Sequence, residues 1–386
     1  MGWDRQAPEV MEIPTPIMLG RWVLAAIVAM LAGALLFLLH VSERVPPLQA
    51  LNVWALSGSP MLIWVLTFGA RAYFYGGVLS HQQFLEEEAH GAQQAWQDWA
   101  QRYLAVHASC VLLPDQVSAN VLTQVALNVP RRTSQARRIA ALPAGPERAL
   151  AGLQLLLQGV APVLQVLPAG QELRVTLLSD VEPLQYKTLR DAWEKNWATT
   201  PHQSPAPTLS AAAELPYQWI DETLKTASRA FELLLVVQVH GEDAYSDGLA
   251  ALLLCPDRLA YEWDLPVQGR LLRPMPLAIE TLESDVALFL QTQTGARQAM
   301  GLLADGAHWQ PLIAKALLVG GAHGASLEVE QQWVQEHFCG LPGPFGHWLL
   351  AALAVEMVQQ KVRSLLMLTE EKTRRWISTV VAGDLA

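Results

Sequence analysis

Residues 22–39 read WVLAAIVAMLAGALLFLL and carry no charged side chain, and residues 45–70 form a second uncharged stretch. A helix needs about 20 apolar residues, at ~1.5 Å rise per residue, to cross a hydrocarbon core of about 30 Å. The sequence therefore predicts two membrane spans, at about residues 18–40 and 52–75. Together they make residues 1–81 a two-helix transmembrane anchor, and the rest of the chain is polar enough to fold in water.

A cleaved signal peptide is the competing interpretation of the first stretch. Its apolar core is usually 7–15 residues long and ends at a small-residue cleavage site. Here the apolar run is longer, is followed by VSERVPP and precedes a second span. Arg5, Arg21 and Arg71 flank the outer ends of the spans, and only Arg44 lies in the hairpin loop. Because Lys and Arg accumulate on the cytoplasmic side, we expect both termini and the soluble domain in the cytoplasm of a bacterial cell.

The charge pattern argues against nucleic acid as a partner. The formal net charge is −10, and no concentrated basic face of the kind that binds nucleic acid is present. One basic cluster occurs, formed by Arg131, Arg132, Arg137 and Arg138. We interpret this cluster as a solvated loop or helix face.

The three cysteines, Cys110, Cys255 and Cys339, are an odd number without paired spacing, so neither a disulfide framework nor a CxxC metal site is expected. Each is interpreted as a small buried hydrophobe, and free thiols agree with a reducing compartment. The sequence has no P-loop, no dinucleotide-binding glycine pattern, no HExxH and no GxSxG. No cofactor and no metal are therefore expected.

Strands alternate with helices in the soluble part, which predicts an α/β domain. Residues 82–103 predict a connecting helix, with Trp96 and Trp99 as core residues. Strands are predicted at residues 104–113, 172–178, 232–240, 247–255, 268–273 and 374–381. Helices are predicted at residues 146–167, 184–197, 219–231, 284–303, 309–317, 328–339 and 347–366, and a linker or surface loop at residues 202–216.

Three sequence blocks fall in a fixed order in the second half of the soluble part. They are YSDGLAALLL at residues 245–254, AHGAS at residues 322–326 and GHWLLAALAVE at residues 346–356. In this order the blocks resemble motifs of the thiolase-like condensing enzymes, the β-ketoacyl synthases: S-[ED]-G-A-A-A-L-V-L, A-H-G-T-S-T and G-H-x-x-G-A-A-G-A-x-E. The resemblance covers roughly residues 240–366, and residues 102–240 fit the same fold only by their strand–helix alternation.

The resemblance implies a layered α-β-α-β-α domain built from two similar halves, at residues 104–215 and 216–386. It places His323 and His347 where that family has two active-site histidines, which polarise the thioester or ketone oxygen beside a cysteine nucleophile. It also implies that the apolar helix starting at His347 is a buried central helix. The alternative, a third membrane span, is disfavoured by Glu356 and by the polar residues near the end of that helix.

The chain departs from the family pattern at the nucleophile. No cysteine occurs between Leu112 and Val237, and the lysine that usually precedes the second histidine is replaced by Gly343-Pro344-Phe345. Ser179 or Ser228 could substitute only with a base within hydrogen-bond reach. No catalytic residue is therefore assigned; if the chain is an enzyme, His323 and His347 are the candidates.

These observations favour a non-catalytic, membrane-anchored scaffold over two alternatives. The alternatives are an enzyme acting on acyl thioesters, and a regulator that binds lipid or acyl groups in the old pocket. The layout of the chain is similar to that of proteins encoded with bacterial type VI secretion clusters, which anchor cytoplasmic domains in the inner membrane. We therefore expect inner-membrane lipid and other membrane or secretion-machine proteins as partners, and the resemblance implies a homodimer.

Overall fold

The computed structural model describes residues 2–4, 15–43, 46–124, 132–168, 170–199, 207–226, 228–360 and 364–383. The chain divides into two units, Met1–Ala95 and Trp96–Ala386. The first unit consists of α1 (Leu19–Val41), α2 (Pro46–Gln49) and most of α3 (Val53–Gln101). Among the described residues, α1 and α3 are the two helices that are long and apolar enough to cross a membrane.

The two long helices of the first unit form a closely packed hairpin. A Cβ atom on Gly33 would lie 2.5 Å from the carbonyl oxygen of Ser57, so only glycine permits this approach of α1 to α3. The indole Nε1 of Trp64 donates a hydrogen bond to the carbonyl oxygen of Trp22 at 3.0 Å. The predicted connecting helix is not a separate element, because α3 continues without a break from Val53 to Gln101.

The second unit begins its strands where α3 ends. The first half contains β1 (Tyr103–Leu112), α4 (Ala119–Leu122), α5 (Arg148–Leu164), β2 (Leu173–Ser179), α6 (Tyr186–Thr199), β3 (Leu209–Ala212), α7 (Trp219–Thr226), β4 (Phe231–Gln238), β5 (Gly248–Pro256) and α8 (Asp257–Trp263). The second half contains β6 (Gly269–Leu272), β7 (Met275–Leu277), α9 (Leu282–Thr292), β8 (Gly301–Ala304), α10 (Gln310–Ala322), β9 (Gln332–Val334), α11 (Gln335–Cys339), α12 (Gly346–Gln360), β10 (Ser364–Glu371) and β11 (Arg374–Ala382).

The strands repeat one arrangement twice. Their order is β3-β2-β4-β5-β1-β6-β11-β10-β8-β9, so each half follows the pattern third-second-fourth-fifth-first when β7, which pairs with β11, is set aside. In each half the second, third and fourth strands are parallel and the fifth is antiparallel to its neighbours. The two halves meet where β1 pairs with β6. We call these halves the first repeat and the second repeat.

The boundary between the repeats corrects the predicted division at residue 215. The first repeat is complete only after β4 and β5, so the boundary lies between α8 and β6. The predicted strands β1, β2, β4, β5, β6 and β11 are confirmed. Four predicted elements are partly wrong: β3 lies in the predicted linker, β8 and β9 overlap two predicted helices, and β10 begins within the last residues of the predicted helix at residues 347–366. Strands β3, β8 and β9 are three or four residues long, and β10 begins with an apolar run, so none of them shows the alternation that identifies a half-buried strand.

The packing confirms the predicted layers. The domain has two hydrophobic clusters among its described residues, and alternate side chains of β4 belong to different ones. Leu234 and Val236 lie in the cluster around α12, while Leu233 and Leu235 lie in the cluster around α5 and α6. The α12 cluster also contains residues of the second repeat, such as Leu365 and Val380. The central helix α12 is thus buried between the two halves of the sheet, which excludes it as a third span. Helices α9 and α10 pack together in the second repeat.

Candidate functional site

The strand–helix connections of the second repeat converge at one edge of the sheet. In α/β sheets, ligands bind outside the carboxyl ends of parallel strands. In this chain that edge carries the residues that follow β8 and β9 and the last residues of β10. The starts of α7 and α12, the helices that follow the third strand of each repeat, meet beside it, because Tyr217 and His347 are in ring contact.

Tyr217 and His347 form the buried centre of this site. Their ring centroids lie 5.8 Å apart at an interplanar angle of 78°. The Tyr217 hydroxyl and the Ser378 hydroxyl are 3.1 Å apart, and the backbone N–H of Tyr217 donates to Glu371 at 3.0 Å. Burial raises the pKa of the Tyr217 phenol above its ordinary range. The tyrosine is therefore an uncharged, fully packed side chain at the start of α7.

His347 is held as a neutral imidazole. Its Nε2 lies 3.2 Å from the carbonyl oxygen of Leu215, which can only accept, so Nε2 carries the proton. The neighbouring Trp348 indole donates to the same oxygen at 2.9 Å. Burial lowers the pKa of His347 to about 4. Its Nδ1 has no hydrogen-bond partner among the described residues, which leaves one buried acceptor facing the protein interior.

The structure does not bring His323 to His347. His323 follows the last residue of α10, and its N–H donates to the carbonyl oxygen of Val319 at 3.0 Å, as a helix-ending residue does. Soon after it, the N–H of Glu328 donates to the carbonyl oxygen of Met300, immediately before β8. His323 therefore lies at the amino edge of the second repeat, and His347 lies at the carboxyl edge.

An aspartate and a histidine that can exchange protons, the chemistry expected of His323, follow β8 directly as Asp305 and His308. Asp305 is the first residue beyond that strand; it accepts hydrogen bonds from Trp309 Nε1 at 2.8 Å and from the backbone N–H of Glu370 at 2.7 Å. Burial raises its pKa to about 7. His308 Nε2 lies 2.8 Å from Glu370 Oε2, and Arg375 Nε lies 3.2 Å from the same oxygen. Sequence reasoning missed this group; its signal was an Asp and a His within four residues of an apolar run.

A segment at residues 132–139, here called the strap, joins the carboxyl edges of the two repeats. At one end the backbone N–H of Ser134 donates to Glu336 Oε1 at 3.0 Å, and Glu336 Oε2 accepts from the N–H of Ala307 at 2.6 Å. At the other end the N–H of Ile139 donates to Asp247 Oδ2 at 2.8 Å. The strap thus lies against the loop that carries Asp305 and against the first repeat.

Two further buried polar atoms belong to the same edge. Gln335 Oε1, directly after β9, and Thr369 Oγ1, next to the β10–β8 pairing that ends at Ala304, have no hydrogen-bond partner among the described residues. Buried polar atoms are rarely left unpaired. The carboxyl edge of the second repeat is therefore polar, and part of its hydrogen-bonding capacity is unused among the described residues.

The candidate nucleophiles of the sequence lie elsewhere. Cys110 is half-buried in β1, Cys255 is buried in β5, and Cys339 ends α11; burial raises the pKa of each thiol. Ser179 donates to the carbonyl oxygen of Val237, and Ser228 accepts from a backbone N–H, so each hydroxyl has a backbone partner. Among the described residues, no group of three His, Cys, Asp or Glu side chains could hold a metal ion.

Cys255 has one imidazole neighbour. His107 Nε2 lies 3.1 Å from the Cys255 sulfur, and His107 Nδ1 lies 2.9 Å from the carbonyl oxygen of Pro266. Because Nδ1 donates to that oxygen, Nε2 is left to accept from the thiol. Burial lowers the pKa of His107 and raises that of Cys255 to about 12, so the pair is neutral and the thiolate is disfavoured.

Three solved structures are similar to the chain: the Streptomyces albus oxazolomycin ketosynthase domain OzmH KS8 (11% identity, 73% of this chain, 95% of that chain, TM-score 0.47), acetamide-bound Xanthomonas campestris OleA (9%, 73%, 99%, 0.44), and the ketosynthase from module 1 of the Bacillus amyloliquefaciens bacillaene synthase (8%, 75%, 77%, 0.49). No family model and no curated protein matches. At such identities the likeness concerns the fold alone, so the duplicated strand order and the buried α12 carry the assignment of a thiolase-like layered domain.

Proposed function

We propose that the chain is a non-catalytic scaffold: a thiolase-like domain held at the bacterial inner membrane by α1 and α3. One observation carries this proposal. The start of α7 presents the buried ring of Tyr217 to His347, and Tyr217 is uncharged and hydrogen-bonded through its hydroxyl. Covalent catalysis needs an activated nucleophile at hydrogen-bond distance from a base, and the three cysteines have raised thiol pKa values in other elements.

The proposed setting follows from the two long apolar helices and from the arginine distribution. Both termini and the soluble domain face the cytoplasm in this proposal, and inner-membrane lipid surrounds α1 and the first part of α3. The proposed partners are other membrane or secretion-machine proteins, as in type VI secretion, and a second copy of the chain. Nucleic acid is not among them, because the net charge is −10.

A membrane-bound acyl-thioester enzyme is the second candidate. The observation that favours it is the Nδ1 of buried His347, which has no hydrogen-bond partner among the described residues and could accept a proton or a hydrogen bond from a bound molecule. A regulator that binds an acyl group at the same place without chemistry is supported by the same atom. Both candidates require a ligand at the carboxyl edge of the second repeat.

The test compares acyl transfer with partner binding in one preparation. The full chain is purified from detergent-solubilised membranes and incubated with octanoyl-coenzyme A, and its intact mass is measured. The scaffold proposal expects no acyl adduct, and it expects the same co-purified membrane proteins from the native chain and from His347→Ala. His323→Ala is the matched control, because that histidine lies at the opposite edge of the same repeat.

The opposite result is equally clear. One octanoyl group on the native chain, absent from His347→Ala and retained in His323→Ala, overturns the scaffold and establishes acyl transfer. Non-covalent octanoyl-coenzyme A that co-purifies with the native chain but not with His347→Ala would favour the regulator. A thermal unfolding curve for each variant shows whether a loss reflects the site or the fold.

A further inference from the structure

A cavity lies beside the turn that follows β1, away from the Tyr217–His347 contact. Its volume is about 510 Å³, within the range of roughly 300–1,000 Å³ typical of small-molecule pockets. Much of its wall is apolar, formed by Val111, Leu113, Val117, Ile139 and Ala141. Asp115 also lines the cavity and is its one charged lining residue among those described. The cavity thus combines an apolar body with a single charged position.

Two arginines converge on that carboxylate. Arg137 Nη2 lies 3.0 Å and Arg132 Nη2 lies 3.3 Å from the same Oδ2 atom of Asp115. The three side chains are 30%, 24% and 35% exposed, respectively, so water screens the charges only in part. One carboxylate neutralises one guanidinium, so the group keeps an excess positive charge in a chain of net charge −10. Such an excess is complementary to an anion.

The backbone holds Asp115 in this position at a conformational cost. Asp115 and Gln116 have φ values of 56° and 57°, the left-handed region that non-glycine residues rarely adopt. The turn is closed by the N–H of Val117, which donates to the carbonyl oxygen of Pro114 at 3.2 Å. Strained residues persist where their surroundings over-determine them, and they are frequent at ligand clamps. Here the turn aims the Asp115 carboxylate at both guanidinium groups.

We propose that this cavity binds a small amphiphilic anion. The apolar part of the ligand occupies the cavity. Its carboxylate or phosphate head pairs with Arg132 and Arg137 at the place that the Asp115 carboxylate takes in the structure. Arginine suits this role because its planar fork matches both carboxylate and phosphate. The inference is independent of the proposed scaffold function, since it uses neither Tyr217 nor His347.

The test is a calorimetric titration of the full chain in phosphatidylcholine nanodiscs, with empty nanodiscs subtracted. The probes are octanoate and octyl phosphate, compared with octanol and octylamine, which have the same chain but a neutral or cationic head. The proposal expects one molecule of anion per chain and an affinity at least about tenfold higher than for octanol or octylamine, as one charge-assisted hydrogen bond provides. Binding of octyl phosphate alone supports the proposal and assigns a phosphate head.

Two substitutions give opposite expected shifts. Arg137→Gln should weaken anion binding about tenfold, while Asp115→Asn should strengthen it by a similar factor, because the internal competitor loses its charge. Asparagine tolerates the left-handed conformation at residue 115. The matched control is Arg174→Gln, since Arg174 pairs with exposed Glu172 in β2 and should leave binding unchanged.

A third variant covers the case in which the charge variants do not fold. Ala141 is exposed at the cavity, so Ala141→Trp fills the space without disturbing the core and should abolish anion binding. Equal affinities for octanoate, octyl phosphate and octanol overturn the proposal. Weaker anion binding in folded Asp115→Asn, or unchanged binding in folded Ala141→Trp, overturns it as well.

Discussion

The two repeats share a strand order but differ in how their carboxyl edges treat buried charge. In the first repeat, Asp247 has no exposed side-chain surface and is paired with Arg148 and Arg138. In the second repeat, Asp305 is equally buried but accepts only from an indole N–H and from backbone N–H groups. Asp247 thus has cations within bonding distance, and Asp305 has none among the residues that the structure describes.

Asp180 extends the contrast. It lies at the end of β2 in the first repeat, accepts from the N–H groups of Val239 and His240, and accepts from the Tyr245 hydroxyl at 3.2 Å. The corresponding edge of the second repeat leaves Gln335 Oε1 and Thr369 Oγ1 without partners among the described residues. The first edge also holds such atoms, since Asp247 Oδ1 and Arg148 Nε have no hydrogen-bond partner among the described residues. The repeats therefore differ in charge pairing: buried Asp247 of the first repeat is paired with arginines, whereas buried Asp305 of the second accepts only from N–H groups, and burying it costs stability.

The largest expected effect tests the closed edge. Arg148→Met leaves Asp247 buried with only the half-exposed Arg138 at 3.5 Å. Breaking a buried ion pair from one side costs about 3–5 kcal/mol, so we expect a loss of that size in the free energy of unfolding, measured by denaturant titration in detergent. Arg229→Met is the control, because the pair of Arg229 with Glu262 is more than half exposed on both sides and contributes under about 1 kcal/mol. A loss no larger than in the control would mean that Arg148 does not stabilise the buried carboxylate of Asp247.

The next effect tests the open edge through pH. The pKa of Asp305 is raised from 3.8 to about 7, so the folded state holds a proton that the unfolded state has released. The contribution of Asp305 to stability is therefore complete below about pH 4 and is lost as the pH rises to about 7, by at most about 4 kcal/mol. Asp305→Asn should remove most of this dependence, measured as the unfolding free energy between pH 4 and pH 8.

Other charges near Asp305 define the control for that experiment. Glu370 lies beside it and raises its pKa, while His308 and Arg375 are paired with Glu370. Glu356 on α12 also has a pKa raised to about 7, by burial, and its protonation acts in the same direction. Glu356→Gln therefore serves as the matched variant: the difference between the two pH profiles isolates Asp305. If the unfolding free energy of the native chain does not fall as the pH rises from about 4 to about 7, the account is contradicted.

His347 should give a pH effect of the opposite sign. Its pKa is lowered from 6.5 to about 4, so the unfolded state binds the proton first as the pH falls. Its contribution is complete above about pH 6.5 and is lost as the pH falls to about 4, by at most about 3 kcal/mol. His347→Gln keeps a donor for the Leu215 carbonyl oxygen and should abolish this acid sensitivity, measured by unfolding at pH 4.5 and 7. His323→Gln, on a half-buried helix end, should leave the acid sensitivity in place.

Sequence patterns predicted the elements that are long or uniformly apolar. The long apolar helices α1 and α3 and the buried strands β4 and β5 follow from continuous apolar runs. Strand β3 was missed because Leu209–Ala212 is four residues long and consists mostly of small residues among prolines. The strand order that defines the repeats was not predictable from pattern alone, because it depends on pairing between residues far apart in the chain.

Of the two histidines named from the sequence, His347 lies at the carboxyl edge of the second repeat and His323 does not. The AHGAS block at residues 322–326 led to His323, although hydrogen bonds of the following residues to Arg297 and Met300 place it at the amino edge. His308 was missed because a single histidine after a four-residue strand has no distinguishing spacing. Short motifs report local composition, whereas the edge of a sheet at which a side chain lies is decided by the direction of the strand before it.

The smallest effect concerns the contact between the repeats. Tyr217→Phe keeps the ring against His347 and Trp348 but removes the hydroxyl that meets Ser378 of β11. A neutral hydrogen bond contributes about 0.5–1.5 kcal/mol, so we expect a loss of about 1 kcal/mol in the free energy of unfolding. Tyr261→Phe is the control, because Tyr261 is 92% exposed and should change nothing.

The outcome of this substitution decides how the second edge is read. A loss of about 1 kcal/mol that leaves partner binding intact means that the phenol holds the segment before α7 against β11 by its hydrogen bond. The polar groups without a stabilising partner at this edge are then Asp305, Gln335 and Thr369. Unchanged stability means that the cost of burying the hydroxyl cancels its bond. In that case Tyr217 is a further polar group that adds nothing to the free energy of unfolding, and the second repeat differs from the first at one more residue.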